Sequence, residues 1–232
     1  MRPTLLLIRP RAASVRLLAA CEAAIGAPIK SLIAPIMQIE PQHTDINPKA
    51  FAGVIVTSAN GAHHGGDLAG QTAYVVGSHS ANAATRAGGQ VAFTAPDSRA
   101  LLRHLVRNPP ATPLLWLRGE HAAGDLATQL TAAGIQTDQA IVYRQNALPA
   151  ERLLVDALQG ERRTILPLYS PRSASLISAA IEQAGVGLHV ISISRAVACA
   201  WHHKAGSNET CAKPDGVEMK RRIIAALQQP SA

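Results

Sequence analysis

The chain has 232 residues, 47% of them hydrophobic and 16% charged, with a formal net charge of +7. That length suits one large domain or two small ones, and the apolar share excludes wholesale disorder. No apolar run approaches the ~18 residues of a membrane span, and the short run before Arg9 cannot form a signal-peptide core, so the expectation is a soluble, cytoplasmic protein.

In chain order, short β-branched or leucine-rich runs fall at residues 5–8, 31–39, 54–56, 73–76, 91–94, 114–117, 139–143, 165–169 and 189–193. Runs without alternation suit strands buried on both faces. Between them lie alanine-rich stretches of helical spacing. Three of these, 12–25, 80–87 and 126–133, stop at Gly26, Gly88 and Gly134, the usual place for a C-cap glycine. Strand alternating with helix predicts an α/β fold with parallel sheets and right-handed crossovers.

The chain also repeats itself. Leu5-Leu6-Leu7-Ile8-Arg9-Pro10 is echoed by Leu114-Leu115-Trp116-Leu117-Arg118-Gly119. Val54-Ile55-Val56-Thr57-Ser58-Ala59-Asn60 is matched by Leu166-Pro167-Leu168-Tyr169-Ser170-Pro171-Arg172, and Val75-Val76-Gly77-Ser78-His79-Ser80-Ala81 by Ser192-Ile193-Ser194-Arg195-Ala196-Val197-Ala198. The tails Ala95-Pro96-Asp97 and Ala212-Lys213-Pro214-Asp215 agree as well. An ordered series of this kind implies a duplication with halves near 1–108 and 113–232. Two long extended runs, 33–41 and 141–148, exceed the usual strand of ~5–6 residues and suit a paired linker. Residues 1–38 with 145–232 would then form one lobe and 42–140 the other, with a cleft between.

Cys21, Cys199 and Cys211 form an odd, widely spaced set without a C-x-x-C pair, so neither a disulfide framework nor a zinc ribbon is indicated, and buried inert thiols are expected. The pairs His63-His64 and His202-His203 lack the spacing that places two metal ligands on one helix face. Solvated, capping or partly packed side chains account for them, and no metal site is expected. Lys220-Arg221-Arg222 reads as the solvated face of a last helix, near its end, where cations complement the dipole. Nucleotide-binding glycine loops and the hydrolase serine elbow are missing.

Most of the basic excess is arginine, which suits carboxylate or phosphate, although an Ala- and Arg-rich composition explains it equally. With 3% aromatics, base stacking on nucleic acid has little to work with. The informative polar residues follow the apolar strands: Thr57, Ser58, Ala59 and Asn60; Gly77, Ser78 and Ser80; Ser170, Pro171, Arg172 and Ser173; Ser194 and Arg195. Helix capping explains each of them singly. As four turns in two repeats, joined by Arg9 and Arg118, they suit a pair of anion-binding walls. Tyr143, one of 3 tyrosines, stands in the second long extended run. It is either a proton donor or anchor, or an ordinary strand aromatic.

Taken together, these motifs resemble the uroporphyrinogen-III synthase family. The likeness lies in Ile8-Arg9-Pro10, Pro35-Ile36-Met37-Gln38-Ile39-Glu40-Pro41, Val56-Thr57-Ser58-Ala59-Asn60, Val76-Gly77-Ser78 and Leu117-Arg118-Gly119. It continues through Val142-Tyr143-Arg144, Tyr169-Ser170-Pro171-Arg172-Ser173-Ala174 and Pro214-Asp215-Gly216. The resemblance implies two flavodoxin-like lobes joined by a two-stranded linker, acting as a monomer without metal or organic cofactor. The implied substrate is hydroxymethylbilane, an open-chain tetrapyrrole with eight carboxylates. Its terminal hydroxyl leaves as water, ring D attacks through its substituted carbon to give a spiro intermediate, and reclosure inverts ring D. The resemblance makes Tyr143 the donor to the departing hydroxyl and the strand-end residues the carboxylate ligands. Two departures stand out. The stretch 202–211 is unusually polar where the family's final strand should lie. Members commonly show Gly or Ser, Pro, a variable residue, then Thr-Ala at the last turn, whereas Ser194-Arg195-Ala196-Val197-Ala198 replaces the proline with arginine and lacks the threonine hydroxyl. A non-catalytic two-lobed binding protein for an acidic small molecule is the alternative. Nucleic acid and membrane are not expected partners.

Overall fold

Alternate residues of each apolar run face opposite sides of a sheet, so each run needs cover on both faces. In the computed structural model, which describes residues 2–122 and 124–229, helices supply that cover twice. The chain forms two compact units, residues 1–38 with 146–232 and residues 39–145.

The first unit has β1 (Thr4–Leu7), α1 (Arg11–Ile25) and β2 (Ser31–Ile33). After an excursion through the second unit, the chain returns as α6 (Arg152–Gln159), β9 (Thr164–Leu168), α7 (Pro171–Ala179), β10 (Leu188–Ser192), α8 (Arg195–Cys199), β11 (Ser207–Thr210) and α9 (Gly216–Gln228). Its strands lie in the order β2-β1-β9-β10-β11, all parallel. Leu5, Leu7, Ile165 and Ile191 pack under α1 and α9 with Cys21, Met219 and Ile223. Leu6, Ile8, Leu166, Leu168 and Val190 pack on the other face with Leu154, Ile177 and Val197.

The second unit begins with β3 (Met37–Pro41), β4 (Gly53–Val56), α2 (Ala59–His64), β5 (Thr72–Val76) and α3 (Ser78–Arg86). It continues through β6 (Gln90–Ala95), α4 (Ser98–Arg107), β7 (Leu114–Gly119), α5 (Leu126–Ala132) and β8 (Thr137–Ala147). The order is β3-β8-β7-β4-β5-β6. Without β3, and with β7 and β8 numbered as the first two strands of their repeat, both sheets share the order 2-1-3-4-5, that of flavodoxin-like folds. The repeat explains the identity. The β1–α1–β2 segment of one half sits beside β9–β11 of the other, and β7–α5–β8 sits beside β4–β6. The halves have exchanged their first two strands.

Capping follows the sequence. Gly26 closes α1 at φ 75°, and the repeated aspartates Asp97 and Asp215 cap equivalent helices, accepting from Ala100 N (2.7 Å) and Glu218 N (2.8 Å).

Three expectations change, and the unusually polar stretch before α9 proves to hold the final strand. The run 31–39 is not one strand: it breaks between β2 and β3 at Pro35, which has no N–H to give. Its neighbours Ala34 and Ile36 still donate to Leu7 and Ile8 carbonyls, at 3.0 and 3.1 Å. The polar stretch 207–210, which carries no apolar run, is the edge strand β11, paired on one side only. Side chains fasten it. Glu209 meets His189 Nε2 (3.1 Å) and Arg222 Nη1 (3.0 Å), and His189 Nδ1 meets the Ser207 hydroxyl. Lys220–Arg222 lies in the second turn of α9, not near its end, and Arg221 and Arg222 both grip Glu218 at 2.7–2.9 Å. Ion pairing, rather than the helix dipole, accounts for them. Cys21 and Cys211 are buried, but Cys199 is exposed at the end of the short helix α8.

Candidate active site

In the second unit, β4 runs into α2 through Thr57 and Ser58. Ser58 is extended (φ −149°, ψ 151°), and its Oγ accepts the Gly61 N–H at 3.1 Å, capping the helix that Ala59 and Asn60 begin. Thr57 Oγ1 accepts from Trp116 Nε1 at 3.1 Å. The Tyr143 hydroxyl lies 2.9 Å from Ser58 Oγ, joining positions 85 residues apart. Tyr143 is 4% exposed and belongs to the apolar core of this unit. Its ring sits against Gly119, where a Cβ would fall 2.5 Å from Cζ and 2.8 Å from Oη. Glycine is required there by space alone. The His64 ring stands 6.2 Å from the Tyr143 ring, and burial, with His63 beside it, lowers its pKa and favours the neutral imidazole.

Arg118 is held rather than presented. It donates to Gln139 Oε1 (2.9 Å) and to the carbonyls of Gly119 (2.8 Å) and Glu120 (3.0 Å), with its guanidinium 5.3 Å over the Trp116 ring. At the end of β5, Gly77 adopts φ 76°, a conformation that favours glycine, and no side chain caps α3. Ser78 is exposed in the first turn of α3, and Ser80 is buried.

In the first unit, Arg9 follows β1 and lies 4.1 Å over the ring of Tyr169, at the end of β9. Burial lowers the Arg9 pKa, an effect that Tyr169 partly offsets. Burial also pushes the Tyr169 phenol up to about 12, so it stays protonated at neutral pH. Ser170 caps α7 by accepting from Ser173 N at 3.1 Å, and its Oγ is 2.8 Å from the buried Ser173 Oγ. Pro171 and Arg172 make up the first turn of α7. Ser194 caps α8 by accepting from Val197 N at 3.4 Å, and Arg195 is exposed beside it.

Thr57, Ser58, Ala59, Asn60, Gly77, Ser78, Ser80, Arg118 and Tyr143 thus gather at the carboxyl end of one sheet. Arg9, Ser170, Pro171, Arg172, Ser173, Ser194 and Arg195 gather at the carboxyl end of the other. Reading the sequence alone misses Tyr169 and Gly119 as contributors. Tyr169 stands at the repeat position of Thr57, which is the available signal. Among the described residues no cluster of His, Cys, Asp or Glu could hold a metal ion. A cavity of about 740 Å³ in the first unit opens at the other end of its sheet, by Thr4, Leu188 and Ser207. No helix among the described residues is long and apolar enough to cross a membrane.

Comparison with known proteins adds identity to this geometry. Uroporphyrinogen-III synthetase from Helicobacter pylori is 18% identical, with a TM-score of 0.68 over 97% of this chain and 99% of that one. A mutant uroporphyrinogen III synthase from the extremely thermophilic bacterium Thermus thermophilus is 15% identical, with a TM-score of 0.57 over 98% of this chain and 100% of that one. At these identities the likeness is one of fold. No curated protein matches the chain. The family model described as uroporphyrinogen-III synthase HemD matches residues 19–213, which span both units, and the chain belongs to the uroporphyrinogen-III synthase family.

Proposed function

We propose that the protein is a uroporphyrinogen-III synthase, cyclising hydroxymethylbilane with loss of water and inversion of ring D. The observation that carries this reading is the family match over residues 19–213, a stretch that includes every candidate site residue except Arg9. The chemistry suits the residues. The bilane is reactive by itself, so the protein has chiefly to fold it and hold its ends in register. Amides at helix starts and arginines suit its carboxylates. Gly77 favours this role, because no side chain caps the first-turn amides of α3.

Tyr143 gives its proton to the departing hydroxyl, the carbon–oxygen bond breaks, and water leaves. The pyrrole nitrogen supplies the electron pair that forms the azafulvene. Ring D then attacks through its substituted carbon, and the spiro intermediate fragments and recloses. The proton lost as the last pyrrole regains aromaticity returns to Tyr143, so the protein ends unchanged. The test uses purified, chelator-treated protein with hydroxymethylbilane, followed by separation of the product isomers. Type III product well above the spontaneous rate is expected. Type I product alone, at the spontaneous rate, would overturn the reading.

A further inference from the structure

We infer that Ser58 is a positioning residue for Tyr143: it donates its hydroxyl hydrogen to the Tyr143 oxygen, which leaves the phenol hydrogen free for the substrate and steadies the phenolate once that hydrogen has gone. This rests on the proton-donor role proposed for Tyr143, and it removes Ser58 from the set of carboxylate ligands.

Two hydroxyls 2.9 Å apart can share their bond in either direction. If Tyr143 donates, its one hydrogen is spent on Ser58 and none remains for a leaving group. If Ser58 donates, the phenol hydrogen is available. The surroundings of Ser58 favour the second arrangement. Its Oγ already accepts the Gly61 N–H at 3.1 Å, and an accepted hydrogen bond strengthens the donor on the same oxygen. Proton transfer then leaves a phenolate facing a donor already in place, the arrangement in which a hydrogen bond gains most.

The ring itself has little freedom. It is 4% exposed and sits where Gly119 offers no Cβ, so the direction of the hydrogen is what remains to be set. Nor is the hydroxyl pair a by-product of capping. Ser170, the repeat equivalent of Ser58, caps its helix at the same 3.1 Å, yet its other neighbour is the Ser173 hydroxyl rather than a phenol.

The test compares Ser58→Ala, Ser58→Asp, Tyr143→Phe and the Ser58→Ala/Tyr143→Phe double variant in the isomer assay, with thermal melting of each. Ser58→Ala is expected to lower kcat roughly 10- to 100-fold, the loss of one hydrogen bond to a charged group, with KM little changed. Ser58→Asp keeps a capping oxygen but cannot donate, so it should melt like wild type and turn over as slowly as Ser58→Ala. The double variant should be no slower than Tyr143→Phe alone. A raised KM at unchanged kcat, or additive losses, would make Ser58 a substrate ligand and overturn the inference. A readout independent of turnover is the NMR signal of the Tyr143 ring carbon that bears the hydroxyl, followed with labelled tyrosine. Ser58→Ala should move it from its wild-type position, with His64 and the Glu120–Arg144 pair (3.5 Å) unaltered. An unmoved signal defeats the inference. A wild type that makes only type I product defeats the underlying reading instead.

Discussion

The two units are built alike and equipped differently. Both carry the same arrangement of five parallel strands, to which the second adds β3 at one edge; both end their repeat on an aspartate-capped helix, and both place an arginine over an aromatic ring near the end of an inner strand. The substitutions fall at equivalent turns. Where the first unit has Pro10 opening a helix, the second has Gly119 making room for Tyr143. Where the first has Tyr169 under Arg9, the second has Thr57 bonded to Trp116. Where the first caps α8 with Ser194, the second leaves α3 without a side-chain cap after Gly77. Apolar period and capping reproduce the scaffold in each copy, while one residue at each strand end changes what that end can do.

The largest test of this asymmetry is hydroxyl removal in each unit. Tyr143→Phe should slow turnover by roughly 10²- to 10⁴-fold, as expected for a lost general acid, whereas Tyr169→Phe should change kcat by less than about threefold, because it keeps the ring under Arg9. Comparable losses in steady-state kcat would erase the distinction. Next comes Gly119→Ala. Its Cβ would enter within 2.5–2.8 Å of the phenol, and displacing a reacting group by about 1 Å costs roughly a hundredfold in rate; Pro10→Ala should stay within about twofold.

The two arginines should separate by the quantity affected. Arg118→Ala removes three held hydrogen bonds and should lower unfolding free energy by about 1–3 kcal/mol in urea titrations. Arg9→Ala should chiefly raise KM, by about tenfold, the scale of one charge-assisted bond to a carboxylate.

The smallest effect concerns the two repeat helices. Asp215-Gly216-Val217-Glu218 places a glutamate where Asp97-Ser98-Arg99-Ala100 has alanine. Hydrogen bonds from Arg221 and then Arg222 lower the Glu218 carboxyl from 4.5 to about 2. A depressed folded pKa adds stability above the unfolded value and loses it as pH falls towards the folded one. Glu218→Gln should therefore melt slightly lower than wild type at pH 7, and the gap should close between about pH 4.5 and 2 in paired melting curves.

Much of the scaffold was legible before any coordinates, because burial on both faces writes continuous apolar runs into a strand and caps write Gly, Ser and Asp at helix ends. The strand β11 had a place in the family pattern but no apolar run to mark it: an edge strand needs one partner only, and the side chains of His189 and Arg222 hold it in place of a core. Nor could the full pairing of Arg222 be read locally, since Glu209, on another element, completes the set that Glu218 begins.

The sequence by itself determined the α/β alternation, the duplication, the capped helix starts and the choice of residues at strand ends, all of them consequences of period and neighbour identity. Tertiary structure alone decided that Tyr143 meets Ser58 across 85 positions, that the polar stretch 207–210 pairs with β10, and that Gly119 leaves room for the Tyr143 ring. Those are packing outcomes. They depend on which backbones approach one another in space, and no local pattern along the chain records that.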